Sequence, residues 1–454
     1  MRKYKALMFI ATILSLLWSR ETVLAQGKEM WITQEELQNL PTSGPAWNNL
    51  KAEADRATGT PNVSNQEDEV NVRVMAKALV YARSGDESYR NEVIDACMKA
   101  IDTEKGGRTL ALGRELAAYV ISADLVGLPA DKDQRFRAWL RETLTESLSG
   151  RTLQSTHEDR GNNWGTHAGA SRAAVAVYLG DQEEIERTAQ VFKGWLGDRA
   201  SYAGFTWGAL SWQADPDNPV GINPKGATRD GHSIDGVLPD DQRRNGGFKW
   251  PPPKANYVYG ALQGVLAQAV ILYRAGYDVW NWEDKAMLRA FEWLHNEANF
   301  PATGDDEWTP HVINYFYGAS FPAKMPAQPG KNVAWTDWTF GTGSNNQPDV
   351  TSVSGVVENS ANRQPITNAL VQLKSGRSVR YETQTGSTGR YHFNNIAAGS
   401  YELYCSKNGF QDWSKNITVA DGQQLFGQNM ALIPVSDSIP PDPPKNVRVV
   451  GGSD

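Results

Sequence analysis

Asn162, Asn163, Trp164 and His167 fall within six residues in the run HEDRGNNWGTHAGASRAAV. If the run is helical, Asn163 and His167 are four apart and share one face. An amide beside an imidazole can hold an anion and move a proton. Either asparagine can equally serve as a helix N-cap, and a lone histidine is often a hydrogen-bonded structural residue. Trp164 adds a flat ring on which a ligand can stack. A second group lies in GATRDGHSIDGVLPDDQRRNGGFKWPPPKANYVYGALQG, which carries Arg229, His232, Arg243, Arg244, Trp250, Tyr257 and Tyr259. Arginine presents a planar fork to carboxylates. A phenol beside a cation can act as a base. Tyr257 and Tyr259 point to opposite sides of a helix start, so at most one faces a site; packing on Trp250-Pro251-Pro252-Pro253 is the structural alternative for both. Asp230, Asp235, Asp240 and Asp241 read as turn formers or as a carboxylate pair.

These residues need a scaffold, and the spacing supplies one. From Glu69 to about Ala319 apolar residues recur at three- and four-residue steps. The pattern predicts helices over 110–126, 136–148, 168–179, 185–196, 257–275, 285–298 and 310–317. Gly85, Gly127, Gly180 and Gly276 fall between runs, where helices stop. Many helices of similar length joined by short turns predict a solenoid or toroid of helical hairpins. Residues 201–255 break the pattern, being rich in Gly, Pro, Asp and Trp; so long an irregular stretch is usually functional. After Phe340 the period changes to two, as in Ala369, Val371, Leu373 and Tyr401, Leu403, Cys405. The fold class expected is therefore mainly α, an α/α toroid followed by a small all-β sandwich. The boundaries expected are 26–340 for the helical domain, 341–348 for a linker, 349–434 for the sandwich, and 435–454 for a second linker with the truncated start of another module.

The chain has 454 residues with 45 Lys+Arg against 52 Asp+Glu, a net charge of -7. That balance lacks the basic field that non-specific nucleic-acid binding needs. Arg2, Lys3 and Lys5 precede an apolar run over 6–18, and Val23-Leu24-Ala25 follows as a small-residue cleavage pattern. Residues 1–25 thus read as a signal peptide. The mature protein is expected to be secreted, periplasmic or at the cell surface, with attachment through the C-terminal modules. No other segment approaches the roughly 20 apolar residues of a membrane span. Cys97 and Cys405 fall in separate domains, so no disulfide joins them and no thiolate metal site forms. With no HExxH, acidic calcium loop or Gly-rich phosphate loop, no metal and no cofactor is expected. Of sixteen Trp, all but Trp413 precede residue 340, which fits a large core or a surface on which sugar rings stack.

The opening NNWGTH, together with RDGHSIDG, NYVYGALQGVLAQAVILYRAGYDVWNWED and HVINYFYG, resembles the alginate-lyase-type polysaccharide lyases over roughly residues 45–340. The resemblance implies an α/α toroid and β-elimination on a uronic-acid-containing, alginate-like polysaccharide. It implies Asn163, His167, Arg244 and Tyr257 or Tyr259 as catalytic residues, with Trp164, Arg229, His232, Arg243 and Trp250 binding the anionic substrate. Two departures are visible. Trp164 stands where the family has His directly after Asn-Asn, and NGGFKWPPPKAN lengthens the Arg-to-Tyr spacing. Residues 353–432 resemble the carboxypeptidase regulatory-like module, and PPDPPKNVRVVGG the first strand of a fibronectin type III module. Two other readings stay open. One is an inverting glycoside hydrolase using two of Glu115, Asp230 and Asp235 across a cleft; the other is a non-catalytic glycan-binding protein.

Overall fold

Side-chain size decides how the helical region layers. In the computed structural model, α1 (Gln34–Asn39), α2 (Pro45–Ala54), α3 (Val70–Ser84), α4 (Glu87–Ala100), α5 (Thr109–Val126) and α6 (Ala130–Thr145) are followed by α7 (Leu153–Asp159), α8 (Asn163–Leu179) and α9 (Gln182–Leu196). The irregular segment then holds a two-stranded hairpin, β1 (Thr228–Arg229) and β2 (His232–Ser233), and the single turn α10 (Pro239–Gln242). α11 (Asn256–Arg274), α12 (Trp282–Asn296), α13 (Thr309–Tyr317) and α14 (Thr336–Thr339) complete the region. The structure describes residues 29–326, 328–341, 351–386, 389–393, 396–420, 423–425 and 427–435. The expected signal peptide, the 341–348 linker after its first residue, and the 435–454 segment after its first residue lie outside them.

α3, α5, α8 and α11 lie side by side as an inner layer, with α4, α6, α9 and α12 packed outside. The inner helices are apolar or small nearly all round, and α5, α8 and α11 are buried along almost their whole length. Glycine lets them approach closely. A Cβ on Gly113 of α5 would stand 2.8 Å from the Ala168 nitrogen, and one on Gly264 of α11 would stand 2.4 Å from the Thr166 carbonyl carbon. Contacts advance in register: Gly113 meets His167 while Ala117 meets Ser171, and Gly260 meets Asn163 while Gly264 meets His167. α5, α8 and α11 are therefore parallel, and their N-termini open at one end.

One stretch without any periodic signal ties that end together. Asn71 Nδ2 at the start of α3 donates to the Lys331 carbonyl (2.9 Å), and Trp335 Nε1 donates to the Val72 carbonyl (2.8 Å). Asn332 Nδ2 donates to the Gly113 carbonyl of α5 (2.8 Å), and the Lys331 N–H donates to Gln263 Oε1 of α11 (2.7 Å). The layer closes into a ring: α11 contacts α13, α13 contacts α14, α14 contacts α2, and α2 contacts α3. Trp338 Nε1 bonds the Pro41 carbonyl, and Arg274 pairs with Glu36.

The C-terminal region is all β, as the period of two predicts. One sheet runs β10–β3–β6, with β9 also paired to β3; the other runs β5–β4–β7–β8. The strands are β3 (Ser352–Asn359), β4 (Leu370–Ser375), β5 (Ser378–Gln384), β6 (Arg390–Phe393), β7 (Gly399–Ser406), β8 (Trp413–Val419), β9 (Gln424–Leu425) and β10 (Met430–Leu432). Val353, Val371, Leu373, Tyr401, Leu403 and Cys405 fill a core of their own. Cys97 and Cys405 are both free and buried in different cores.

Candidate active site

Asn162 caps α8, accepting from the Trp164 N–H at 3.2 Å. That leaves Asn163, the first helical residue, with its side chain uncommitted to the cap. Asn163 is 3 % exposed, its Oδ1 has no partner, and its N–H donates to Asp241 Oδ1 at 3.1 Å. α10 thus sits on the mouth of α8 and delivers Arg243 and Arg244 beside it. Burial pushes the Asp241 carboxyl well above the usual carboxylate range, opposed by the Asn163 N–H.

His167 lies one turn deeper and is fully buried. Asn332 Nδ2 donates to Gly113, so Asn332 Oδ1 faces His167 Nδ1 at 2.5 Å and accepts from it. That arrangement puts the proton on Nδ1 and leaves Nε2 as a bare lone pair without a partner. Burial, followed by the charge of Arg114, holds the imidazole well below its ordinary pKa. His167 is therefore a neutral group at neutral pH.

The two tyrosines separate. Tyr259 is 1 % exposed, its hydroxyl donates to the Phe300 carbonyl at 2.8 Å, and its ring meets Phe291 and Phe300. It is a core residue, so its assignment as a base is corrected. Tyr257 is 41 % exposed at the start of α11, and the Arg244 guanidinium carbon lies 3.9 Å from its ring centroid. Asn163, Arg244 and Tyr257 thus share the end where α8 and α11 begin.

Other sequence candidates are spent on structure. Arg243 pairs with Asp240 and lies across Gly208. Arg229 donates to the Ser211 carbonyl (2.6 Å) beside the Phe248 ring. His232 stacks on Trp250, with centroids 4.3 Å apart and rings inclined by 7°. Among the described residues, no hydrogen bond, ion pair or ring contact links Arg229, His232 or Trp250 to Asn163. Trp164 is half-buried near Arg160. The carboxylates weighed for a hydrolase do not pair either: Asp235 binds Arg289, Asp230 sits on the exposed hairpin turn, and Glu115 is wholly buried.

Beside His167 the structure gathers residues that the motifs did not mark. Gln263 accepts from Trp308 Nε1 (3.3 Å) and the Lys331 N–H, which turns its Nε2 to donate to Asp306 Oδ1 at 2.7 Å. Burial, then Asp305, raises the Asp306 carboxyl to about 7. Lys331 Nζ lies 2.8 Å from Glu67 and 3.7 Å from Asp305, and Arg114 lies 3.4 Å from Glu67. The charges of Arg114 and Lys331 act on His167, Glu115 and Asp306 alike, so these groups form one basin. Glu115 has both oxygens unpartnered, and burial raises its carboxyl well above the usual range. A signal for part of this basin exists in the sequence: Gln263 interrupts an otherwise apolar stretch of α11. Among the described residues, no group of three His, Cys, Asp or Glu is placed to hold a metal ion.

The comparisons bear on the same end of the ring. Residues 42–211 match the family model described as alginate lyase. The match takes in α2 to α9, including the Asn162–His167 motif. Residues 352–432 match the carboxypeptidase regulatory-like domain. No curated protein matches the chain. Among solved structures, an alginate lyase from Bacteroides ovatus is 14% identical with a TM-score of 0.42, covering 64% of this chain and 92% of that one. The TIE protein of Bacillus anthracis is 15% identical with a TM-score of 0.17, covering 19% of this chain, and a cohesin–X-dockerin complex from Acetivibrio cellulolyticus is 19% identical with a TM-score of 0.14, covering 18%. The chain spans 17% and 55% of the lengths of those last two structures. No helix among the described residues is long and apolar enough to cross a membrane.

Proposed function

We propose that the protein is an exported polysaccharide lyase that cuts a uronic-acid-containing, alginate-like polymer by β-elimination. The observation that carries this reading is the match of residues 42–211 to the alginate lyase family, read with the position of its Asn163 motif at the shared N-terminal end of α5, α8 and α11. Helix N-termini carry partial positive charge and free N–H groups, which favour an anionic chain. Asn163 and the Arg114–Lys331 pair neutralise the C5 carboxylate, stabilising the charge that builds as the proton leaves. Tyr257 takes that proton, and Arg244 beside it compensates the developing phenolate; the proton returns to the leaving O4. His167 Nε2 is the alternative base. Residues 1–25 direct export, and the β-region serves as a spacer or surface attachment.

The test is the ultraviolet absorbance of the unsaturated uronyl end across a panel of uronate polymers. Tyr257→Phe should lose roughly 10²–10⁴-fold in rate, the usual weight of a general base, while Tyr259→Phe keeps the activity of its folded fraction. Full activity in Tyr257→Phe removes the tyrosine from the mechanism. A second reading, an inverting hydrolase, draws on the raised carboxyl of Asp306. It gives reducing ends without an unsaturated product, and it ranks Asp306→Asn as the damaging change.

A further inference from the structure

Where the ring closes, a cavity of about 270 Å³ opens between α2 and the 328–337 segment. Its lining mixes two chemistries. Trp335, Pro326 and Pro329 offer carbon, the Trp335 Nε1 being committed to the Val72 carbonyl, while Trp308 is fully buried. Asn49, Glu53, Arg56, Glu69 and Gln328 present polar atoms. Asp337 also lines the cavity. It is 6 % exposed and its Oδ2 has no partner. A buried carboxyl oxygen left unpaired is costly, which marks it as an acceptor or donor awaiting a hydroxyl.

Charge selects among ligands. Glu53 is neutralised by Arg73 (2.6 Å) and Arg56 (2.7 Å). With Glu69 and Asp337, three carboxylates face two guanidiniums around the cavity and leave it one charge negative, which disfavours a uronate. The volume lies just under the roughly 300 Å³ at which ligand pockets usually begin, so it admits a single ring. A pyranose combines an apolar C–H face with an edge of hydroxyls, matching a lining that sets ring carbon beside amide and carboxyl groups.

We infer that this closure pocket binds one uncharged sugar ring, separately from the anionic site around Asn163. Trp308 links the two: it is fully buried among the residues around the pocket, and its Nε1 is bonded to Gln263 of the basin. The inference stands whether or not the elimination chemistry is right, because it concerns binding alone. If both hold, the polymer is one in which a uronate neighbours a neutral sugar.

The experiment is saturation-transfer NMR on the full chain with D-glucose, D-galactose and D-mannose, using D-glucuronate as the charged control. At least one neutral hexose should bind saturably, and glucuronate should not displace it. Asp337→Asn and Asn49→Ala should each weaken that binding tenfold or more, with circular dichroism confirming the fold. Asn49 is only partly buried, so its variant reports even if Asp337→Asn fails to fold. Three results overturn the inference: no hexose saturates, as for a pocket that takes only water or a cation; both folded variants bind like the parent; or glucuronate displaces the hexose.

Discussion

Gly260 and Gly264 lie one turn apart on the same face of α11, and alanine at each should shift stability in opposite directions. In a helix interior, Gly→Ala gains about 1 kcal/mol from propensity alone. At Gly264 the new Cβ would lie 2.4 Å from the Thr166 carbonyl carbon, 2.5 Å from the His167 nitrogen and 2.6 Å from the Thr166 oxygen. All three are backbone atoms and cannot rotate away. Ordinary contact begins at 3.4 Å, so α8 and α11 must part by about 1 Å in a close-packed interior. Overpacking of this kind costs about 1–3 kcal/mol, and rigid backbone neighbours place it at the upper end. Gly264→Ala should therefore lose roughly 1–2 kcal/mol net, lowering Tm by about 2–5 °C. At Gly260 the nearest atom is Asn163 Nδ2 at 3.9 Å, so the propensity gain survives and Tm should rise. Differential scanning calorimetry of the two variants beside the parent reads both signs. Shifts of the same sign, or no loss in Gly264→Ala, would refute the argument that glycine is needed there for helix approach.

Two further perturbations test the polar contacts. The Asp306 carboxyl titrates at about 7 in the folded state and near 3.9 when unfolded, so the parent gains stability as pH falls through about 7 toward 4 and is penalised above it. Asp306→Asn lacks that penalty; its stability relative to the parent should rise between pH 5 and pH 8 by roughly 2–3 kcal/mol, and parallel pH–Tm curves would contradict this. Glu36 accepts from Arg274 at 2.7 and 2.8 Å and from the Tyr315 hydroxyl at 2.9 Å. Glu36→Ala leaves a buried guanidinium short of its counter-charge and should cost about 3–5 kcal/mol in guanidinium unfolding, a loss well beyond that of a surface ion pair such as Lys99–Asp95.

The sequence was legible where period and local chemistry carry the information. The apolar spacing over 110–126 matches α5, and the change to period two after Phe340 matches the β-region, because both follow from which side of an element is buried. Tyr257 and Tyr259 diverge as helical geometry requires. Arg114, Asp306, Lys331 and Asn332 were not legible, since they meet only through contacts up to 264 residues apart, as between Lys331 and Glu67. The Arg229–His232–Trp250 group shows no contact with Asn163 among the described residues, for the opposite reason. These residues are near in sequence, and their side chains are absorbed by a hairpin and a ring stack that no spacing rule anticipates.

Lys331 to Trp335 bond the N-terminal halves of α3, α5 and α11 and the imidazole of α8, yet they are nearly the last of the helical region to be synthesised. At roughly 5–20 residues per second, Val72 leaves the ribosome about 13–50 s before Trp335 arrives to bond it. During that interval the inner helices can form hairpins with their outer partners, but the Trp-rich seam stays open and the polar basin has no floor. Such late, long-range contacts slow folding and expose apolar surface to misassembly. A chain stopped near residue 325 should therefore retain most of its helix content and still have no site. Deletion mapping would then credit the missing segment with chemistry, when its part is to draw the ring shut.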